Sequence, residues 1–364
     1  MKTISTAEFE SHIISGKSII DVRSPGEFLT GSIPGSVNLP ILNDLERHEV
    51  GLCYKLKGQE AAIRLGYEIV SGSNLVQKRD LWLGHIANHP DSILTCFRGG
   101  LRSQSAQKFI LESGVQISRI EKGYKFARTF FMETITQAAE NLQFMILTGN
   151  TGSGKTHLLN HIANFYPAID LEALAHHRGS AFGAWEIPQP TQIDFENCLA
   201  NKFLRLTSAD RSKFVLLEDE SRMIGHRHIP EVFFIKMRES KVIFLVEPIE
   251  NRIENIYVDY ISSKLNDTST QQSFMSILTS YKNSVQKIKT KLGGLRAQEL
   301  ISDLDLCEKD FLNNKELTKN KIWIEKLLVW YYDPMYTGSL KKRNPAIQFQ
   351  GSNCDIKSYF QTLI

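Results

Sequence analysis

Residues 144–156 read FMILTGNTGSGKT, an apolar run that ends in a glycine-rich turn. Within it, Gly149–Thr156 fits the pattern Gly-x-x-x-x-Gly-Lys-Ser/Thr. A turn of this composition lets the backbone N–H groups of Gly149, Asn150, Thr151, Gly152, Ser153 and Gly154 point inward around a phosphate. The next residues, KTHLLNHIANF (155–165), have helical spacing, so a helix N-terminus adds its positive dipole end. Lys155 supplies a point charge and the Thr156 hydroxyl a ligand for Mg²⁺. The pattern predicts strand, phosphate-binding loop and helix, the start of a P-loop NTPase-like parallel-sheet domain. FVLLEDE (214–220) and KVIFLVE (241–247) are two more apolar runs that suit parallel strands. The first ends in Glu218, Asp219 and Glu220, and Thr156, Glu218 and Asp219 are the expected metal ligands. Asp170 is a weaker candidate. The loop alone leaves open whether ATP, GTP or another diphosphate is bound.

Upstream, the chain again alternates strands and helices. Ser5 or Thr6 caps a helix in AEFESHIIS; SIIDV (18–22) and ILTCF (93–97) read as buried strands; GSIPGSVNLP (31–40) is turn-rich. SQSAQKFILESG has helical spacing, and VQISRIEKGYKF closes the set. This alternation implies a second α/β layer. In it, CFRGGLRS (96–103) places Cys96 at a strand end, in a loop that leads to a helix. Loop amides, the helix dipole and the nearby Arg98 and Arg102 favour a thiolate or persulfide there, with Gly99 and Gly100 giving the backbone access. From about residue 250 helical periodicity takes over, through NRIENIYVDYISSKL, FMSILTSYKNSVQKIKTKLGG and NKIWIEKLLVWYYD. The expected division is 1–136, 137–262 and a helical segment 263–364 packed on the phosphate-loop domain.

Composition narrows the class. Of 364 residues, 42% are hydrophobic and 23% charged, which suits a globular chain with a real core. No apolar run approaches the roughly 18 residues of a membrane helix, and MKTISTAEFE lacks a secretory h-region, so a cytoplasmic location is expected. The five cysteines form no CxxC pair, which argues against a disulfide framework or structural zinc. Net charge is +3 but uneven: +2 over 1–136, −4 over 137–262 and +5 over 263–364. The last third is where a polyanion is expected to bind.

IDVRSPGEF (20–28), GSIPGSVNLP and the Cys96 loop together resemble the rhodanese family. The resemblance assigns Cys96 as chalcogen carrier, with Asp21 and Arg23 in support. One departure is that Arg102 follows Cys96 after five residues, where many rhodanese-type sulfurtransferases have four. Cys-based phosphatases share the wider spacing; a loop enlarged for selenium or a phosphorylated donor is the alternative. EVGLCYKLKGQEAAIRLG (49–66), DLEALAHHRGSAFG (170–183), LEDESRMIG (217–225) and YYDPMY (331–336) extend the likeness across nearly the whole chain, to the bacterial tRNA 2-selenouridine synthase family.

That resemblance implies a transferase acting on wobble 2-thiouridine of the tRNAs for Lys, Glu and Gln. Selenophosphate and geranyl diphosphate are its implied co-substrates, S-geranyl-2-thiouridine its implied intermediate, and a selenophosphate-supplying enzyme its implied partner. The loop Gly149–Thr156 becomes a cradle for the diphosphate leaving group, with Mg²⁺ expected and ATP or GTP still open. Candidate tRNA contacts are His176, His177 and Arg178, then Lys282, Lys287, Lys289, Lys291 and Arg296 along one helical stretch, and Lys341, Lys342 and Arg343 beside Trp330, Tyr331, Tyr332 and Tyr336. Basic residues interleaved with aromatics suit unstacked anticodon-loop bases. The rival readings are an ATP-dependent tRNA sulfurtransferase with a persulfide carrier, a regulatory nucleotide-binding adaptor with an inactive rhodanese module, and a phosphatase.

Overall fold

The computed structural model describes residues 2–179, 182, 187–206, 210, 213–263 and 271–363. Of the stretches singled out above, Ser180, Ala181 and Gly183 of 170–183, and Lys264 and Leu265 of 251–265, lie outside the described residues. The chain forms two units, Met1–Ala138 with Pro190–Leu206, and Ala139–Gln189 with Thr207–Ile364.

The first unit runs β1 (Thr3–Ile4), α1 (Thr6–Ile14), β2 (Ile19–Asp21), α2 (Pro25–Leu29), β3 (Ser36–Asn38), α3 (Asp44–Ile69), α4 (Gly72–Asn88), β4 (Ile93–Thr95), α5 (Leu101–Leu111), β5 (Ser118–Ile120) and α6 (Gly123–Asn141). Its strands form one parallel sheet in the order β1-β5-β4-β2-β3. β2 and β4, the runs SIIDV and ILTCF, are central and fully buried, because helices cover both faces of such a sheet. Ser5 caps α1 in a reciprocal arrangement with Glu8. Trp82 of α4 is fully buried in this core and donates its indole N–H to the Leu39 carbonyl at 2.9 Å.

The second unit begins with β6 (Gln143–Gly149), α7 (Lys155–Ile162), β7 (Ala168–Ile169) and α8 (Leu171–Ala175). The chain then contributes α9 (Gln192–Leu204) to the first unit. There Asp194 accepts from Ser32 N at 2.8 Å, and Asn197 donates to the Ser32 carbonyl at 2.7 Å. No periodicity announces this detour, since α9 carries an ordinary amphipathic face. The second unit resumes with β8 (Phe214–Glu218), a hairpin of β9 (Met223–Ile224) and β10 (Arg227–His228), α10 (Glu231–Glu239), β11 (Lys241–Leu245) and α11 (Ile249–Tyr257). It ends with α12 (Gln271–Leu292), α13 (Gly294–Asn314), α14 (Asn320–Leu327), α15 (Asp333–Arg343), β12 (Ile347–Gly351) and α16 (Asn353–Gln361).

Its sheet is parallel, in the order β12-β11-β6-β8-β7. β6 therefore sits in the middle and delivers the phosphate loop from its C-terminal end. The last hundred residues are mostly helical, around a core that includes Phe274, Leu278, Trp323 and Leu328. They also complete the sheet: β12 pairs with β11, and Ile356 and Phe360 of α16 pack into the sheet core with Met145 and Ile243. Among the described residues no helix is long and apolar enough to cross a membrane.

Candidate functional site

The phosphate loop joins β6 to α7, as the sequence pattern predicts. Gly154, at φ 81°, precedes α7, and no side chain caps that helix. Its first-turn N–H groups are thus left for a ligand. Ser153 is 2% exposed and its Oγ has no hydrogen-bond partner. Lys155 Nζ folds back onto the carbonyls of Gly149 at 2.8 Å and Asn150 at 3.4 Å. Burial pushes this ammonium down, while the carboxylates of Glu172, Glu220, Glu218 and Asp219 pull it up.

Thr156 Oγ1 lies 2.9 Å from Glu218 Oε1 and 3.2 Å from Glu172 Oε2. Burial holds the Glu218 carboxyl well above its usual range, reinforced by Glu172, Asp170 and Glu220. A buried carboxylate cluster beside the hydroxyl of a phosphate loop has the donor set of a Mg²⁺ site. Among the described residues no three acidic, His or Cys side chains are already arranged around one point. Asp219 departs from its expected role. Its carboxylate accepts from Thr148 at 2.7 Å, Arg343 at 2.7 Å and Arg238 at 3.3 Å. Asp170 instead caps α8 through Ala173 N at 2.7 Å. Glu218 and Glu172 are the carboxylates left at Thr156, and Glu172 was not among the expected residues.

Three further residues brace the loop; Arg252 and Asn255 were not singled out beforehand, and Tyr336 was named only as an aromatic beside the basic run. Arg252 of α11 donates to the Thr151 carbonyl at 2.9 Å, and Asn255 to that of Gly152 at 2.9 Å. Tyr336 of α15 places its ring 5.3 Å from Lys155 Nζ. Burial and the surrounding carboxylates hold its phenol well above the usual range, so it stays protonated.

In the first unit, Cys96 follows β4 and is 2% exposed. Its thiol donates to Ser103 Oγ at 3.2 Å, and that hydroxyl donates to the Gly100 carbonyl at 3.1 Å. Gly100 precedes α5 without a side-chain cap, so this helix also presents free first-turn N–H groups. Arg98 is exposed beside Phe97. Arg102 pairs with Glu27. Burial raises the Glu27 carboxyl, but Arg102, the Ser24 amide and Arg47 more than offset this and leave it below its usual range. Asp21 and Arg23 are both buried and paired at 2.7 Å. Arg23 also donates to the Gly31 carbonyl at 2.9 Å and lies 3.8 Å from the Tyr124 ring centroid. Arg23 further donates to the Glu27 carbonyl at 3.2 Å and so helps fix the segment that carries Glu27. Gly123, missed in the sequence, closes the site: at φ 62°, a Cβ there would meet the Cys96 carbonyl at 2.2 Å and Gly99 N at 2.4 Å.

The expected tRNA contacts divide. Lys287, Lys289, Lys291, Lys341 and Lys342 are exposed. Arg343 is not part of a surface run; its side chain is 6% exposed and pairs with Asp219. Arg178 lies 3.7 Å from the Asp259 carboxylate and 4.9 Å from the Tyr260 ring centroid. His176 turns the end of α8 at φ 49°, and His177 is held below its usual range by burial and by His226. Tyr332 is buried in the helical core, whereas Trp330 lies within 6 Å of both Arg296 and Lys326.

Residues 142–363 match the family model described as tRNA 2-selenouridine synthase AAA domain, and residues 5–126 match the Rhodanese-like domain. A protein from Nitrosomonas europaea is 45% identical, over 96% of this chain and 95% of its own length. One from Bdellovibrio bacteriovorus is 42% identical over 100% and 99%, and one from Cupriavidus necator 41% identical over 98% and 97%. All three are named tRNA 2-selenouridine synthase.

Proposed function

Because the chain belongs to the tRNA 2-selenouridine synthase family, a family of tRNA-modifying enzymes, we propose how its two sites divide the reaction. The substrate is 2-thiouridine at the wobble position of the tRNAs for Lys, Glu and Gln, met in the cytoplasm. At the Gly149–Thr156 loop, the thiocarbonyl sulfur attacks C1 of geranyl diphosphate, the C–O bond breaks and diphosphate leaves. At the Cys96 loop, the selenium of selenophosphate adds to C2, geranylthiolate departs, and water cleaves the Se–P bond to release phosphate. Alkylation makes this exchange feasible, since a thiocarbonyl sulfur leaves poorly and an alkylthiolate leaves better.

The observation that carries this reading is the unpartnered, buried Ser153 hydroxyl among uncapped amides beside Lys155. Together they form a cradle for two linked phosphates. Thr156 and Glu218, with Glu172 behind them, would hold Mg²⁺, which when bound would offset charge on the leaving diphosphate. Lys155 would leave the Gly149 carbonyl for a phosphate oxygen. The protonated Tyr336 phenol would exclude water from the reacting carbon. Cys96 would serve the selenation half as an activated thiolate beside the selenophosphate, with Ser103 turning its hydroxyl to donate to the anion.

Mass spectrometry of wobble nucleosides tests the whole sequence. Purified protein receives 2-thiouridine tRNA, then geranyl diphosphate, then selenophosphate. A geranyl mass gain followed by its replacement with selenium is expected. Selenation without any alkylated species would refute the intermediate, and an absolute requirement for ATP would favour a nucleotide at the loop.

A further inference from the structure

The first unit contains a cavity of about 740 Å³ that the steps above leave unused. That volume falls in the range of ligand clefts, about 300–1,000 Å³. Its shape comes from α3, which is not one rod: Gly58, at φ 82°, divides it into two limbs. Val50 and Leu52 line the cavity from the first limb, Ile63 and Tyr67 from the second, and Leu101 and Phe109 from α5. Leu52, Tyr67 and Leu101 are 49%, 44% and 49% exposed. Together they give the cavity an apolar wall that a ligand can reach from solvent.

The charged lining has one sign. Arg47, Lys55 and Arg102 border the cavity, and among the described residues no carboxylate lines it. Arg47 and Arg102 share Glu27, so the rim is only moderately cationic. A diphosphate needs denser donors, of the kind the Gly149–Thr156 loop offers. An apolar floor under a mildly basic rim instead suits an apolar chain carried on a polyanion. One turn of α5 also relates this cavity to the thiol: Leu101, Arg102 and Ser105 line it, while Ser103 contacts Cys96.

We propose that this cavity holds the ten-carbon chain of S-geranyl-2-thiouridine and so presents its C2 to the Cys96 loop. The proposal rests on the reading that such an intermediate forms.

The test uses the full chain and synthetic anticodon stem-loops, supplied already alkylated, with S-methyl- or S-geranyl-2-thiouridine at the wobble position. Fluorescence anisotropy should show the geranyl form binding at least tenfold tighter than the methyl form. Ile63→Glu and Tyr67→Asp should each remove that preference. Tyr67 is on the surface, so its variant decides the matter if Ile63→Glu does not fold. A preference retained in Tyr67→Asp, or absent from the unaltered protein, would overturn the proposal. Because the probes need no alkylation, failure of the protein to transfer geranyl from geranyl diphosphate would count against the reaction sequence and leave this result intact.

Discussion

Arg252 and Asp333, 81 residues apart, form a two-pronged ion pair, with the guanidinium nitrogens 3.1 and 2.6 Å from the two carboxylate oxygens. The third arm of Arg252 holds the Thr151 carbonyl. The helical end of the second unit is thereby tied to the phosphate loop through one side chain. Arg252 is 5% exposed there, so removing Asp333 leaves a buried charge without its partner. Asp333→Ala should lower stability by about 3–5 kcal/mol and weaken diphosphate binding. Denaturant titration and calorimetry with inorganic diphosphate check this; unchanged diphosphate affinity would mean that the pair does not shape the loop.

Separate sites predict separable variants. Lys155→Ala should reduce geranylation by roughly 100-fold or more, the effect of losing one group aimed at developing charge. It should leave selenation of a pre-geranylated tRNA largely intact. Cys96→Ser should do the reverse. Nucleoside mass spectrometry reads both steps, and loss of both in Cys96→Ser would mean that the cysteine only supports the fold.

The phosphate loop was legible because its chemistry needs one contiguous run of residues, and Lys155 and Thr156 stand where that run put them. The Cys96 loop was legible for the same reason. The bracing residues were not. Arg252 reaches Thr151 across 101 positions, and only the packing of α11 and α15 brings Asp333 and Tyr336 to the same loop. Charge runs misled in a related way. Lys341, Lys342 and Arg343 look alike in sequence, yet the first two are exposed and the third turns inward to Asp219. β12 escaped notice because IQFQG is a half-exposed edge strand, without the apolar run of β6, β8 or β11. Glu172, two residues after the weaker candidate Asp170 and in a helical neighbourhood, offered no signal that it rather than Asp170 would meet Thr156.

Gly123 yields a test of loop geometry that leaves the thiol itself in place. With φ at 62° and the Cys96 carbonyl 2.2 Å from a would-be Cβ, alanine there must displace the loop. Gly123→Ala should keep the fold at a cost of about 1–3 kcal/mol, lose selenation and retain geranylation. Normal selenation in a folded variant would show that the loop tolerates the displacement.

The Glu27–Arg102 pair makes a prediction about pH. The folded Glu27 carboxyl lies below its ordinary value of 4.5, because Arg102, the Ser24 amide and Arg47 outweigh the opposing effect of burial. A depressed carboxyl stabilises the fold at pH values above the unfolded pKa, and this contribution fades as pH falls below 4.5 through the folded value. Glu27→Gln removes the titration and the pair together. The variant should melt lower than the unaltered protein at pH 7, and the gap should narrow as the pH is taken from 5 towards 3. Thermal melts of the full chain across that window check this. A gap that stays constant would mean that the carboxylate charge contributes nothing and that Glu27 acts only through packing.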